Sequence, residues 1–78
     1  MTAFGAMMNP INPEKLLHSK WTAVLPKQKE KHFMVTQLIR DDQEKVIACI
    51  LEAVMTRREY EIDWKGLKNS EQWRQGWS

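Results

Sequence analysis

Cys49, His18 and His32 carry the softest lone pairs in this chain, and a thiolate or an imidazole is the usual starting point for nucleophilic or metal-based chemistry. Their settings argue against both uses. Cys49 lies between Ala48 and Ile50, and apolar surroundings raise a thiol pKa where a neighbouring cation or helix N-terminus would lower it. The expected role is a buried structural cysteine. His18, His32 and Cys49 are separated by 14 and 17 residues, spacings that match no zinc pattern. Glu59, Glu61 and Asp63 could in principle pair for acid–base work, but alternating carboxylates on one side of a strand read as a solvated face. The sequence has no Ser-His-Asp set, and its three glycines leave little room for a phosphate-cradling loop. No catalytic residue, metal or cofactor is expected.

Two groups of cations invite a different chemistry. Lys27, Lys29 and Lys31 alternate through "PKQKEK", and Arg57 with Arg58 closes a later apolar segment. Cations that track phosphates, set beside an exposed indole such as Trp77 that stacks on bases, are one way a small β domain binds single-stranded nucleic acid. The opposing observation is charge balance: twelve Lys and Arg face ten Asp and Glu, giving a net charge of +2 with the signs interspersed. Solvated loops are the plainer reading of both groups. Whether the groups converge depends on the order of the strands that carry them.

Those strands have distinct signatures. "KWTAVL" has the aromatic and β-branched composition of a strand, which Pro26 is expected to end, leaving "PKQKEK" as a loop. "HFMVTQLI" alternates next, with Phe33, Val35 and Ile39 expected on one face and Met34, Thr36 and Leu38 on the other. "EYEIDW" follows period two strictly, with Tyr60, Ile62 and Trp64 dry and Glu59, Glu61 and Asp63 wet. Between them, "DDQEKVIACILEAVMTRR" carries two signals. Val46, Ile47, Ile50, Leu51, Val54 and Met55 fit a helical stripe, yet the same run is nearly continuous in apolar residues, as in a strand buried on both faces, with "RDDQEK" as a hairpin turn.

The ends carry short helical signals. Asn12 can cap a turn begun by Pro13 and Glu14. Near the C-terminus, Ser70 and Glu71 can start a single helical turn that carries Trp73 and stops at Gly76. Trp73 and Trp77, four positions apart, then project from one side. Residues 1–8 show neither period and read as a flexible leader before a single domain over 9–78.

The segments "NPEKLLHSKWTAV", "KEKHFMVT", "LEAVMTRREYEIDWKGLKN" and "QWRQGW" resemble the bacterial tryptophan-rich small-protein family classed as a domain of unknown function. The resemblance runs from about Asn9 to Trp77, and its most specific elements are Ser19–Trp21 and the Trp-x-x-Gly-Trp of Trp73–Trp77. It implies no reaction, cofactor or partner. It does imply a strand-to-strand turn near Thr56 to Arg58, which favours strands over residues 42–58, although "TRRE" lacks the Gly or Asn that tight turns use.

These readings combine into an all-β fold: a three or four-stranded antiparallel meander or open barrel, with a short N-terminal helix and a Trp-bearing C-terminal helical turn. The alternative is α+β, with residues 42–58 helical. A domain of 78 residues buries only roughly 60–65% of its unfolded surface, so its large apolar side chains are structural first. Trp21, Trp64 and Trp73 are expected in the core, with Trp73 a lid over Tyr60, Ile62 and Trp64, and Trp77 partly covered. One cysteine, no secretory signal pattern and no apolar run near the roughly 18–20 residues that span a bilayer lead to an expected cytoplasmic protein away from membranes. The expected function is a non-catalytic interaction module that binds a protein partner or itself. Single-stranded nucleic-acid binding is the alternative.

Overall fold

The computed structural model describes residues 9–77, so the leader expected over 1–8 lies outside the described residues. The chain forms a 3-10 turn at Pro13–Lys15, strands β1 (Lys20–Lys27), β2 (Glu30–Arg40), β3 (Val46–Ala53) and β4 (Glu59–Ile62), a second 3-10 turn at Trp64–Lys68, and strand β5 (Trp73–Gln75). All pairings are antiparallel, in one five-stranded open sheet ordered β4-β3-β2-β1-β5. The fold is all-β.

The segment with two periodicities is therefore one strand, β3, with a turn on each side, and the helical reading of residues 42–58 is overturned. The Asp41 carboxylate decides it locally. Its Oδ1 accepts from the backbone N–H groups of Gln43 and Lys45, at 2.8 and 2.9 Å, and the Asp41 N–H donates to the Lys45 carbonyl. That side-chain turn closes the β2–β3 hairpin and diverts the chain from a helix start. The β3–β4 hairpin turns where expected, with Arg57 in the left-handed region at φ 64° in place of a glycine.

Four other expectations change. Pro26 does not end β1, because it falls in a bulge: Thr22 pairs with His32 and Lys27 with Glu30, so Ala23–Pro26 stand opposite Lys31 alone. Proline is tolerated there because a bulged residue needs no ladder N–H. "PKQKEK" is accordingly not a loop. Lys27 ends β1, Glu30 and Lys31 begin β2, and Gln28 with Lys29 form a tight turn at φ 54° and 65°. A second bulge at Thr36, between the pairs Val35–Leu51 and Gln37–Ile50, reverses the alternation of β2. Leu38 thereby joins Phe33 and Val35 on the core face, and Ile39 does not. Finally, the tail is a strand and not a helical turn, with the Asn69 side chain, rather than Ser70, accepting from the Glu71 N–H to set its entry.

One face of the sheet carries the core: Trp21, Phe33, Val35, Cys49, Leu51 and Ala53, all buried. Leu16 and Ile11 from the first segment, with Leu67 and Trp64 from the second 3-10 turn, cover part of it. Asp63, expected on the wet strand face, instead caps that turn by accepting from the Lys65 N–H. The Trp64 indole N–H reaches the Val46 carbonyl at 3.0 Å, which holds the cover at the β2–β3 end of the sheet. From there the chain crosses the core face to the opposite edge. Trp73 pairs with Ala23 in β1, the Thr22 hydroxyl donates to the Gly76 carbonyl at 2.6 Å, and the Asn9 amide donates to the carbonyls of Leu67 and Trp73. Trp73 therefore does not lie over Trp64. It shares the core face with Phe33, whereas Trp77 lies on the reverse face against His32 and Lys20.

Candidate functional site

The cover reaches only one end of the core face. At the other end, where the β1–β2 and β3–β4 turns lie side by side, the curled sheet leaves an apolar cleft of about 510 Å³. Its inner surface is Phe33 and Leu51. Trp73 from one sheet edge and Tyr60 with Ile62 from the other form its walls, and both aromatic walls meet Phe33 edge-on, with centroids 5.3 and 6.1 Å away. Leu25, lifted by the β1 bulge, stands at the lip and is 73% exposed. The volume is within the usual range for a ligand site.

A polar cluster fixes the mouth. Glu30 is only 5% exposed, and each of its oxygens accepts one hydroxyl, from Thr56 in the β3–β4 turn and from Tyr60 in β4. The Thr56 hydroxyl bond is the main influence that holds the Glu30 carboxyl below its usual range, with Tyr60 and the nearby Arg58 charge adding to it against the opposing effect of burial. Its own hydrogen bond to the Glu30 carboxylate pushes the Tyr60 phenol up. Arg58 crosses to the other turn and donates to the Gln28 side chain at 2.7 Å. Glu30 thus ties β2 to the β3–β4 hairpin, and Gln28 ties the two turns together.

The two cation groups therefore converge. Lys27, Lys29 and Lys31 flank one turn and Arg57 with Arg58 the other, at the same end of the sheet. Arg57 forms a loose pair with Glu52 at 3.4 Å; among the described residues the three lysines form no ion pair. Trp77 is not part of this group. Its indole N–H donates to the Phe33 carbonyl at 2.9 Å and Lys20 lies over its ring, 4.8 Å from the centroid, on the reverse face. Trp21 is buried, with its indole N–H on the Ser19 hydroxyl at 2.8 Å, and Trp64 is half-buried under the Lys68 ammonium.

The remaining candidates have structural settings. Cys49 is fully buried, and burial, reinforced by the Asp63 charge, pushes its thiol up to about 11. Glu59 and Glu61 are exposed on β4, opposite Glu52 and Ile50. Among the described residues no three His, Cys, Asp or Glu side chains gather as a metal site, and no helix is long and apolar enough to cross a membrane.

Sequence reasoning missed Leu25, Gln28, Glu30, Phe33, Thr56 and Tyr60 as parts of one site. One signal was present: Glu30 is the single acid within Lys27–Lys31, an oddity in a stretch read as solvated. The β1 bulge beside Leu25 left a trace too, in Pro26, a residue that strands accept mainly at edges and bulges.

No curated protein and no solved structure matches the chain. The family described as Tryptophan-rich protein (DUF2389), a family of unknown function, matches residues 19–78, which hold every strand and all four tryptophans. The chain belongs to the tryptophan-rich protein family DUF2389.

Proposed function

We propose that the protein is a non-catalytic interaction module whose binding surface is the open end of the core face. The observation that carries this reading is the half-covered sheet. The chain uses its first segment and second 3-10 turn to close one end of the apolar face and leaves Phe33, Tyr60, Ile62, Trp73 and Leu25 lining a cleft at the other. Exposed apolar surface gathered in one place, with polar groups at its edge, marks interaction sites. Support for a non-catalytic role comes from the titratable groups: Glu30 is engaged by two hydroxyls, and Cys49 is held as a thiol away from the cleft.

The test is affinity capture from the host with tagged parent protein and with Leu25→Glu, whose exposed position allows the fold to survive. A partner retained by the parent and lost from the variant, at equal melting temperature, supports the reading. Retention that is identical for both proteins overturns the cleft as the surface.

Single-stranded nucleic-acid binding keeps one supporting observation, the convergence of five cations. Against it, Phe33 is buried, Trp73 is half-buried and Tyr60 is engaged by Phe33 at its ring and Glu30 at its hydroxyl, while Trp77, 41% exposed, lies on the reverse face. Stacking needs accessible aromatic faces beside the phosphate track.

A further inference from the structure

We infer that the occupant of the cleft is a protein segment that presents one bulky apolar side chain flanked by aspartates or glutamates; this rests on the cleft being the binding surface. The apolar half of the inference follows from the lining. The cleft offers Phe33, Leu51, Ile62 and Trp73 to an inserted group, and Leu25 at its lip to the backbone beside it. The β3–β4 turn at the same end of the sheet adds Val54 and Met55, both exposed. Methionine is well suited to such a surface because it repacks against varied shapes.

The acidic half follows from the charges at the mouth. Cations at this end are Lys27, Lys29, Lys31, Arg57 and Arg58; acids are Glu30, Glu52 and Glu59. Two of the three acids are committed. Glu30 is buried and bonded to Thr56 and Tyr60, and Glu52 is the partner of Arg57. Glu59 sits on the outer strand, across from Glu52. What this end of the sheet presents to an incoming chain is therefore mainly lysine ammonium: Lys27 lines the cleft, Lys29 and Lys31 stand at the same turn, and among the described residues none of the three has an ion pair. Such a field speeds encounter with an acidic segment and repels a basic one.

The experiment pans a random dodecapeptide display library on the immobilised full chain and measures the enriched peptides by fluorescence anisotropy, with a twelve-residue oligothymidylate as the nucleic-acid probe. The expected result is enrichment of peptides with one aromatic or aliphatic anchor among Asp and Glu. Their affinity should fall at least tenfold in Lys29→Glu and in Leu25→Glu, and should weaken as salt rises. Enrichment of apolar peptides without acidic residues overturns the charge assignment and leaves the cleft standing. Tighter binding of the oligothymidylate than of any peptide overturns the protein class of the occupant. Absence of enrichment overturns the inference, while the capture comparison of the parent with Leu25→Glu decides the cleft reading separately.

Discussion

Trp73 meets Phe33 edge-on, with ring centroids 5.3 Å apart and ring planes at 82°. The contact joins the last strand to the middle of the sheet and forms one wall of the cleft. Trp77, four residues later, has crossed to the reverse face. The two tail tryptophans thus clamp β1 and β2 from both sides. Truncating a well-buried Trp costs about 3–5 kcal/mol, so half-buried Trp73→Ala should lose about 3 kcal/mol and Trp77→Ala, which gives up one indole hydrogen bond and a partly exposed ring, about 1 kcal/mol. Chemical denaturation of both variants checks the order. Equal losses would show that the two faces hold the tail equally.

Acid should loosen the cleft through Glu30. Its folded-state pKa is depressed below the usual 4.5, chiefly by the Thr56 hydroxyl. Stability from this group is therefore present above pH 4.5 and lost as pH falls through the folded value. Glu14, bonded by Arg40, and Asp41, bonded by the Lys45 N–H, act in the same direction. Melting temperature should be flat above about pH 5 and fall below it, and Glu30→Gln should flatten part of that fall. An acid limb of unchanged slope in Glu30→Gln would remove the carboxylate from the account.

The alkaline side carries the partner signature. Tyr60 is raised from 10.0 because its hydroxyl donates to Glu30, so its contribution is present below pH 10 and lost as pH rises through the folded value. Tyr60→Phe keeps the ring and removes the donor. It should return the Glu30 carboxyl toward its ordinary value, measurable by carboxyl chemical shifts against pH.

Cys49 should resist labelling. Its thiol is moved from 9.0 to about 11, two units, which leaves about a hundredfold less thiolate at neutral pH before access is considered. A thiol reagent should therefore react at least about a hundredfold faster in urea than in the native protein. Native and denatured rates within a factor of a few would mean that the core opens readily.

The Gln28-Lys29 turn offers a separable change. Both residues adopt positive φ, a geometry that Asn-Gly fills with less strain. Lys29→Gly alone, which leaves the Gln28–Arg58 hydrogen bond in place, should stabilise the protein by about 1 kcal/mol while removing one lysine at this turn. Denaturation should show the gain, and anisotropy should show weaker binding of acidic peptides. Stability and binding would then move in opposite directions.

Much of this fold is legible in the residues. "EYEIDW" declares β4 by its period, and Asn12 and Pro13 declare the first turn, because those signals act within a few residues. The site is less legible because it depends on register. The bulge at Thr36 shifts Leu38 to the core face, and the bulge after Thr22 lifts Leu25 to the lip. Thr36 does not differ in type from an ordinary strand residue, and Pro26, which does, reads equally as the end of a strand. The β1–β2 turn was hidden because Gln28 and Lys29 adopt a conformation usually marked by glycine. The convergence of Lys29 with Arg58 required strand order, which no local pattern encodes. The placement of Trp73 beside β1 required knowing that the chain crosses the sheet between β4 and β5.

That crossing also sets an order of assembly. The contacts that hold β5 join residues far apart in sequence: 54 positions separate Thr22 from Gly76, 64 separate Asn9 from Trp73, and 65 separate Pro10 from Gln75. Each closes most of the chain into one loop, an entropic cost that delays such contacts relative to the hairpins β1–β2, β2–β3 and β3–β4. The four-strand meander therefore forms first and waits with the outer edge of β1 bare. A bare edge accepts any strand of the right pattern, including β5 of another molecule. At high concentration during refolding, the expected by-product is a strand-exchanged dimer in which each copy supplies the Trp73–Gln75 edge to the other.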